Sequence, residues 1–156
     1  MPRHHAVAVI PGDGIGVDVI REGRRVLAHL ADVTRSFRLD EEEFDWATAR
    51  YFAHGSYMPD DWTTVLGRFQ AIYFGAVGWP TVPDHVSLWG LLLPIRKAFD
   101  QYANVRPVRL LPGLQGRIVG KGPEHIDFVC VRENTEGEYS GVGGRVHRGT
   151  PHEVAI

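Results

Sequence analysis

The chain has 156 residues, 44% of them apolar and 23% charged, with a formal charge of −2. This suits an ordinary globular domain, and the near-neutral balance gives no electrostatic case for nucleic acid or an anionic membrane surface as a partner. The one cysteine, Cys130, excludes an internal disulfide and fits a reducing cytoplasm.

Residues 6–10 are a short apolar run, expected to be a buried parallel strand. The run is too short for a secretory leader, and no stretch approaches the length of a membrane span. It leads into "VIPGDGIG" at Val9–Gly16. Alternating glycines behind a strand raise the question of a dinucleotide fingerprint, which requires G-x-G-x-x-G and an acidic residue about 20 positions on. Here the order is G-x-G-x-G, Val17 stands where the third glycine belongs, and Asp32 ends no obvious strand. A tight strand-to-helix turn with positive φ at glycine accounts for the same residues.

Residues 17–30 predict a helix with Val19, Ile20, Val26, Leu27 and Leu30 inward and Arg21, Glu22, Arg24 and Arg25 outward. Phe37, Leu39, Phe44 and Trp46 frame the acidic run 40–43. A strand with a bulged middle is expected there, its acids solvated because alternating side chains do not converge on a metal. Pro59-Asp60-Asp61 opens a helix with Trp62, Val65, Leu66 and Phe69 on its apolar face. Residues 71–74 predict a second buried strand. The loop "GAVGWPTVPD" at 75–84 follows at its C-terminal end, where open α/β sheets bind ligands. Residues 87–100 predict a helix kinked or broken at Pro94. Residues 103–110 are extended, as Pro107 requires of Arg106. Residues 128–131 predict a further buried strand that takes in Cys130, and 135–148 a glycine-rich loop. Residues 153–156 begin another strand. The change of domain is expected near 100–104.

Three arginines carry the candidate chemistry. Arg96 lies on the helix after the Gly/Pro loop, Arg106 in "NVRPVRL", and Arg132 at the end of an apolar strand. Brought together, three guanidiniums suit a small di-acid, since each grips a carboxylate through a bidentate fork. Ordinary ion pairs with Glu133, Glu136 or Asp100 fit the same spacing. Tyr139 beside them is a candidate general acid, and equally a packed tyrosine with an exposed hydroxyl. The histidines show no zinc spacing, and no serine sits in a nucleophile elbow.

"IPGDGIG", "FGAVGWPTVPDHVSLWG", "IRKAFDQYANVRPVRL" and "DFVCVRENTEGEYSGVGGR" occur together and in order. The set resembles the N-terminal half of the metal-dependent β-decarboxylating dehydrogenases, which include isopropylmalate and isocitrate dehydrogenases. "VPDHVSLWG" leans toward the branch acting on tartrate and D-malate. The resemblance implies an α/β, isopropylmalate-dehydrogenase-like fold that is not Rossmann. This chain would be the N-terminal portion of a two-domain open mixed sheet flanked by helices. Residues 1–100 would belong to the large domain, and 101–156 would begin the smaller substrate and dimerisation domain. By motif, Arg96, Arg106 and Arg132 correspond to the substrate-carboxylate arginines and Tyr139 to the catalytic tyrosine. Leu92 corresponds to the position reading the substrate's variable group, and Gly75 and Gly78 to one wall of the dinucleotide site. The implied cofactors are NAD and Mg2+ or Mn2+, and the implied full-length form is a cytoplasmic homodimer.

The general-base lysine and the metal-binding aspartates of the family belong to segments after Ile156, so no metal ligand is assigned here and the chain alone is expected to be inactive. A non-catalytic di-acid-binding or subunit-interaction module is the competing reading. Within the family, isopropylmalate and isocitrate dehydrogenation are the alternatives.

Overall fold

A computed structural model describes residues 2–156, and Met1 lies outside the described residues. The chain divides into two compact units, residues 1–95 and 96–156.

The first unit is built on a three-stranded parallel sheet in the order β2-β1-β3. Strand β1 (Arg3–Gly12) leads into α1 (Ile15–Thr34), which returns to β2 (Phe37–Glu43). Helices α2 (Thr48–His54) and α3 (Trp62–Leu66) then carry the chain past β1 to β3 (Ala71–Ala76) on its other side. Val7 and Val9 of β1 pack with Ile20 of α1, and Leu39 and Tyr73 close that cluster. Ala8 and Ile10 point the opposite way, yet both are fully buried. Strand β1 is therefore covered on both faces, which is why its run is continuously apolar. At its end Gly12 takes φ 75° and pairs with Ala76. A Cβ on Gly12 would collide with the Ala76 carbonyl oxygen. The glycines of "GDGIG" thus make a close turn between strand and helix.

The first unit departs from expectation at three points. The helix α1 runs longer than 17–30, and Val19, Val26 and Leu30 are exposed. The stripe that faces the sheet is Gly16, Ile20, Gly23, Leu27 and Ala31, all buried or half-buried. The sequence carries two apolar stripes, and the one with small residues wins because a close approach to the sheet demands it. Strand β2 has no bulge: its register with β1 is unbroken from Arg3↔Phe37 to Val9↔Glu43. Its acids alternate, with Glu41 and Glu43 both held by Arg24 of α1 at 2.6 and 2.5 Å. Helix α2 was not expected at all. It ends at Gly55 in the left-handed conformation, with the Gly55 N–H on the Tyr51 carbonyl.

The helix around Pro94 is continuous in path but not in type. Segment α4 (Asp84–Ser87) passes into a π-helical stretch, Leu88–Leu92, and then into α5 (Leu93–Ala98). Proline has no N–H to donate and its ring crowds the carbonyl four residues back. The wider π turn is one of the local adjustments that relieves this. The unit boundary falls inside α5.

The second unit pairs β4 (Ala103–Arg109) antiparallel with β5 (Asp127–Glu133). Two-residue strands β6 (Arg145–Val146) and β7 (Val154–Ala155) form a smaller antiparallel pair. Strand β5 was expected to be buried. Instead Phe128, Val129, Val131 and Cys130 are exposed. An apolar run reads as buried only when layers cover both faces, and among the described residues β5 pairs with β4 alone.

Ile20 is 2% exposed and Val26, on the same helix, 66%. Ile20→Ala is expected to lower the stability of the first unit by about 2–5 kcal/mol. Val26→Ala should change it by no more than about 0.5 kcal/mol. Urea melts of the two variants check this.

Candidate functional site

The residues singled out by sequence fall in both units.

In the second unit, the register of β4 on β5 pairs Asn104 with Arg132 and Arg106 with Cys130. Alternation then puts Asn104, Arg106, Cys130 and Arg132 on one face of the hairpin, with Arg106 and Arg132 diagonal neighbours. Arg96 comes from the last turn of α5. Burial lowers its pKa, and the guanidiniums of Arg132 and then Arg106 act in the same direction, while Tyr139 opposes them. The three cations are thus close enough to feel one another. Among the described residues none of the three is ion-paired with a carboxylate. Arg106 Nε reaches only the Asn104 carboxamide oxygen, at 3.4 Å.

Tyr139 sits in a 3-10 turn, Gly137–Tyr139. Lys97 of α5 anchors that turn by donating from Nζ to the Ser140 carbonyl at 2.8 Å. Arg132 Nη2 donates to the Tyr139 hydroxyl, and the guanidinium lies 4.9 Å from the ring centroid. Guanidinium is donor-only. The phenol oxygen therefore accepts from Arg132 and its own proton remains to be donated elsewhere.

Glu133, next to Arg132, is kept away from the cations by its own chain. Its carboxylate accepts from the Thr135 hydroxyl and N–H, both at 2.7 Å, and from the Glu136 N–H at 2.8 Å. Burial opposes ionisation, but the Thr135 and backbone N–H hydrogen bonds together pull the carboxyl down to about 2. Asn134 was not singled out by sequence. It is buried, donates from Nδ2 to the Gln101 carbonyl at 3.4 Å, and leaves Oδ1 without a partner among the described residues. Arg96, Asn104 and Asn134 line one open cleft. Arg145 pairs with Glu153 at 2.5 Å.

In the first unit, Gly75 lies inside β3, where a Cβ would strike the Pro11 carbonyl oxygen and press on Ile20 at 3.0 Å. Close packing of β3 on the β1 turn accounts for this glycine. Gly78 has φ 155° and open space where a Cβ would stand. Residues 78–84 line a shallow depression. Leu92 is half-buried in the π-helical stretch.

Sequence reasoning missed Asp13 as a side chain with its own part. It is 6% exposed. Its carboxylate accepts from the Thr48 N–H at 2.8 Å, the Thr48 hydroxyl at 2.7 Å and the Gly78 N–H at 3.1 Å. The available signal was an acid between two glycines, a position no solvated-turn reading requires.

Arginines without carboxylates can hold a small dianion, and a phenol among them can deliver a proton. At Gly78 the backbone borders open space. Among the described residues no three His, Cys, Asp or Glu side chains converge. No helix among them is long and apolar enough to cross a membrane.

The Glu133 loop is expected to titrate in a low window. A depressed carboxyl contributes order that is fully present above its ordinary 4.5 and is lost as pH falls through about 2. Carboxyl-detected NMR should place the Glu133 midpoint near 2, and Thr135→Val should raise it.

A sequence model described as isocitrate/isopropylmalate dehydrogenase matches residues 6–156. The chain is 60% identical over 158 aligned residues to a D-malate dehydrogenase (decarboxylating) of Escherichia coli, covering all of this chain and 44% of that protein. It is 52% identical to a tartrate dehydrogenase/decarboxylase of Pseudomonas putida, over all of this chain and 43% of that one. It thus spans less than half the length of these relatives. A crystal structure of a β-decarboxylating dehydrogenase from Thermococcus kodakarensis superposes with a TM-score of 0.60 at 32% identity, over 97% of this chain and 40% of that one. An isocitrate dehydrogenase from Methylococcus capsulatus shares the fold, with a TM-score of 0.75 at 24% identity over 97% of this chain and 42% of that one.

Proposed function

The chain belongs to the isocitrate/isopropylmalate dehydrogenase family, and on that premise we propose that it is the substrate-gripping N-terminal part of a decarboxylating dehydrogenase for a small 2-hydroxy di-acid. D-malate and tartrate are the substrates put forward, since relatives of those names are 60% and 52% identical. We assign residues 1–100 to the N-terminal part of the large domain and 101–156 to the start of the smaller one. The full-length protein is read as a cytoplasmic homodimer.

The observation that carries this reading is the gathering of Arg96, Arg106 and Arg132 without an internal carboxylate. A dianionic substrate supplies the missing charge. Arg132 is held by β5 and stacked on Tyr139, so its fork is aimed before substrate arrives. Leu92 is assigned to the substrate's variable group. Gly78, with Gly75 beneath it, is assigned to one wall of an NAD site. NAD, when bound, would supply the hydride acceptor for the alcohol carbon, and the hydroxyl proton would pass to a base not assigned among these residues. After oxidation the bond to the β-carboxylate breaks, carbon dioxide leaves, and its electron pair stays on the substrate as an enolate. Tyr139 then gives its free proton to the carbon that carried the departed carboxylate. Mg2+ or Mn2+ belongs to the proposal through the family. No metal ligand and no general base is assigned among the residues of this chain.

Two experiments test the reading. Incubated alone with D-malate, NAD+ and Mn2+, the chain is expected to give no NADH; turnover at ordinary enzyme rates, with host activity excluded, would show that its own residues suffice. Arg132→Lys keeps the charge and loses the planar fork. By calorimetry it should weaken D-malate binding by some tens-fold, on the order of 2 kcal/mol. NAD+ affinity should stay unchanged. Unaltered D-malate affinity with a lowered melting temperature would remove Arg132 from the substrate site.

A further inference from the structure

We propose that Asp13 is the positioning residue of the nucleotide-side loop, fixing residues 76–78 in the shape that receives a dinucleotide. The proposal rests on the assignment of that loop given above. The sheet order β2-β1-β3 means the chain leaves β1 to one side and later returns to the other. In open α/β sheets such a reversal leaves a crevice at the carboxyl ends of the two diverging strands, and ligands bind there. Here those ends are Gly12 of β1 and Ala76 of β3, which are paired.

Asp13 is the first residue beyond β1 and grips this place twice. Its N–H donates to the Ala76 carbonyl at 2.6 Å, and its Oδ2 accepts the Gly78 N–H at 3.1 Å. The same carboxylate is braced from behind. Oδ1 takes the Thr48 N–H and Oδ2 the Thr48 hydroxyl. Since that hydroxyl's proton is engaged by an acceptor-only group, the Tyr57 hydroxyl, 3.1 Å away, is the donor to Thr48. Thr48 is fully buried and Tyr57 nearly so, with Tyr57 stacked 5.1 Å from Tyr51. Gly78 by contrast has open space around its α-carbon. The most permissive residue of the loop is thus fixed by a bond to a buried, braced carboxylate. A purely structural role, capping the start of α2, would use only the Thr48 bonds.

Two variants of the full chain separate these roles. Asp13→Ala removes both carboxylate oxygens, so Gly78 and Thr48 lose their acceptor together. Thr48→Val removes the hydroxyl bond and spares the Gly78 bond. Amide exchange at Gly78 is expected to quicken at least tenfold in Asp13→Ala, with NAD+ affinity, read from shifts at residues 76–79, weakened about tenfold. Thr48→Val should lower the melting temperature and leave both readings as in the wild type. The proposal is overturned by an unchanged Gly78 exchange rate in Asp13→Ala, or by equal losses of NAD+ affinity in the two variants. Should Asp13→Ala fail to fold, a through-hydrogen-bond coupling between the Gly78 amide and the Asp13 carboxyl carbon in the wild type decides the tether, and its absence overturns it. A wild-type chain with a protected Gly78 amide but no NAD+ shifts overturns the nucleotide assignment of the loop, and with it the proposal, while leaving the tether itself standing.

Discussion

Strand β1 is hydrogen-bonded along both edges and covered on both faces, so its C-terminal end is the best-held point of the first unit. Everything distinctive about residues 1–95 is referred to that end. The glycine turn brings α1 back against the sheet, β3 ends beside it at Ala76, and Asp13 carries its carboxylate into the spot where two separate segments, at Thr48 and Gly78, present donors. A parallel sheet fixes its strands laterally but leaves the chain free just beyond them. In this unit that freedom is removed by a side chain and not by further strand pairing.

The second unit works by the opposite means. Its hairpin buries little, and Val105, Phe128, Val129 and Val131 face outward. What is organised there is charge. Arg132 is held by strand pairing and by Tyr139, Arg96 by a helix end, and Glu133 is diverted by Thr135 and Glu136 from neutralising either. Local hydrogen bonds of a carboxylate to its own next residues are ordinary turn chemistry. Here their effect is to leave the cations unmet.

The parallel strands and their order of appearance were legible because continuous apolar runs and Gly/Pro loops report them directly. Arg96, Arg106, Arg132 and Tyr139 were legible as residues but not as a group, because spacing cannot tell a guanidinium cluster from three ion pairs. The burial of 128–131 was misread because an apolar run reports a covering layer without saying which chain segment supplies it. The inner stripe of α1 was misread for a different reason. Hydrophobicity favoured valines, while packing against the sheet required Gly16 and Gly23. Helix α2, a single short element closed by Gly55, carried too little periodicity to register. Asp13 was hidden by its company, since an acid beside glycines also passes for an ordinary turn residue although the turn does not need it.

Three guanidiniums with no internal counter-charge also make the second unit sensitive to its solvent. Each repels the others, so any small multivalent anion that settles among them relieves strain in the folded state and in no other. Sulfate, phosphate or citrate in a buffer then behaves as a stabilising ligand, contributing about 2.7 kcal/mol at a hundred times its dissociation constant. The melting temperature of this part of the molecule is accordingly a property of the chain and its electrolyte together.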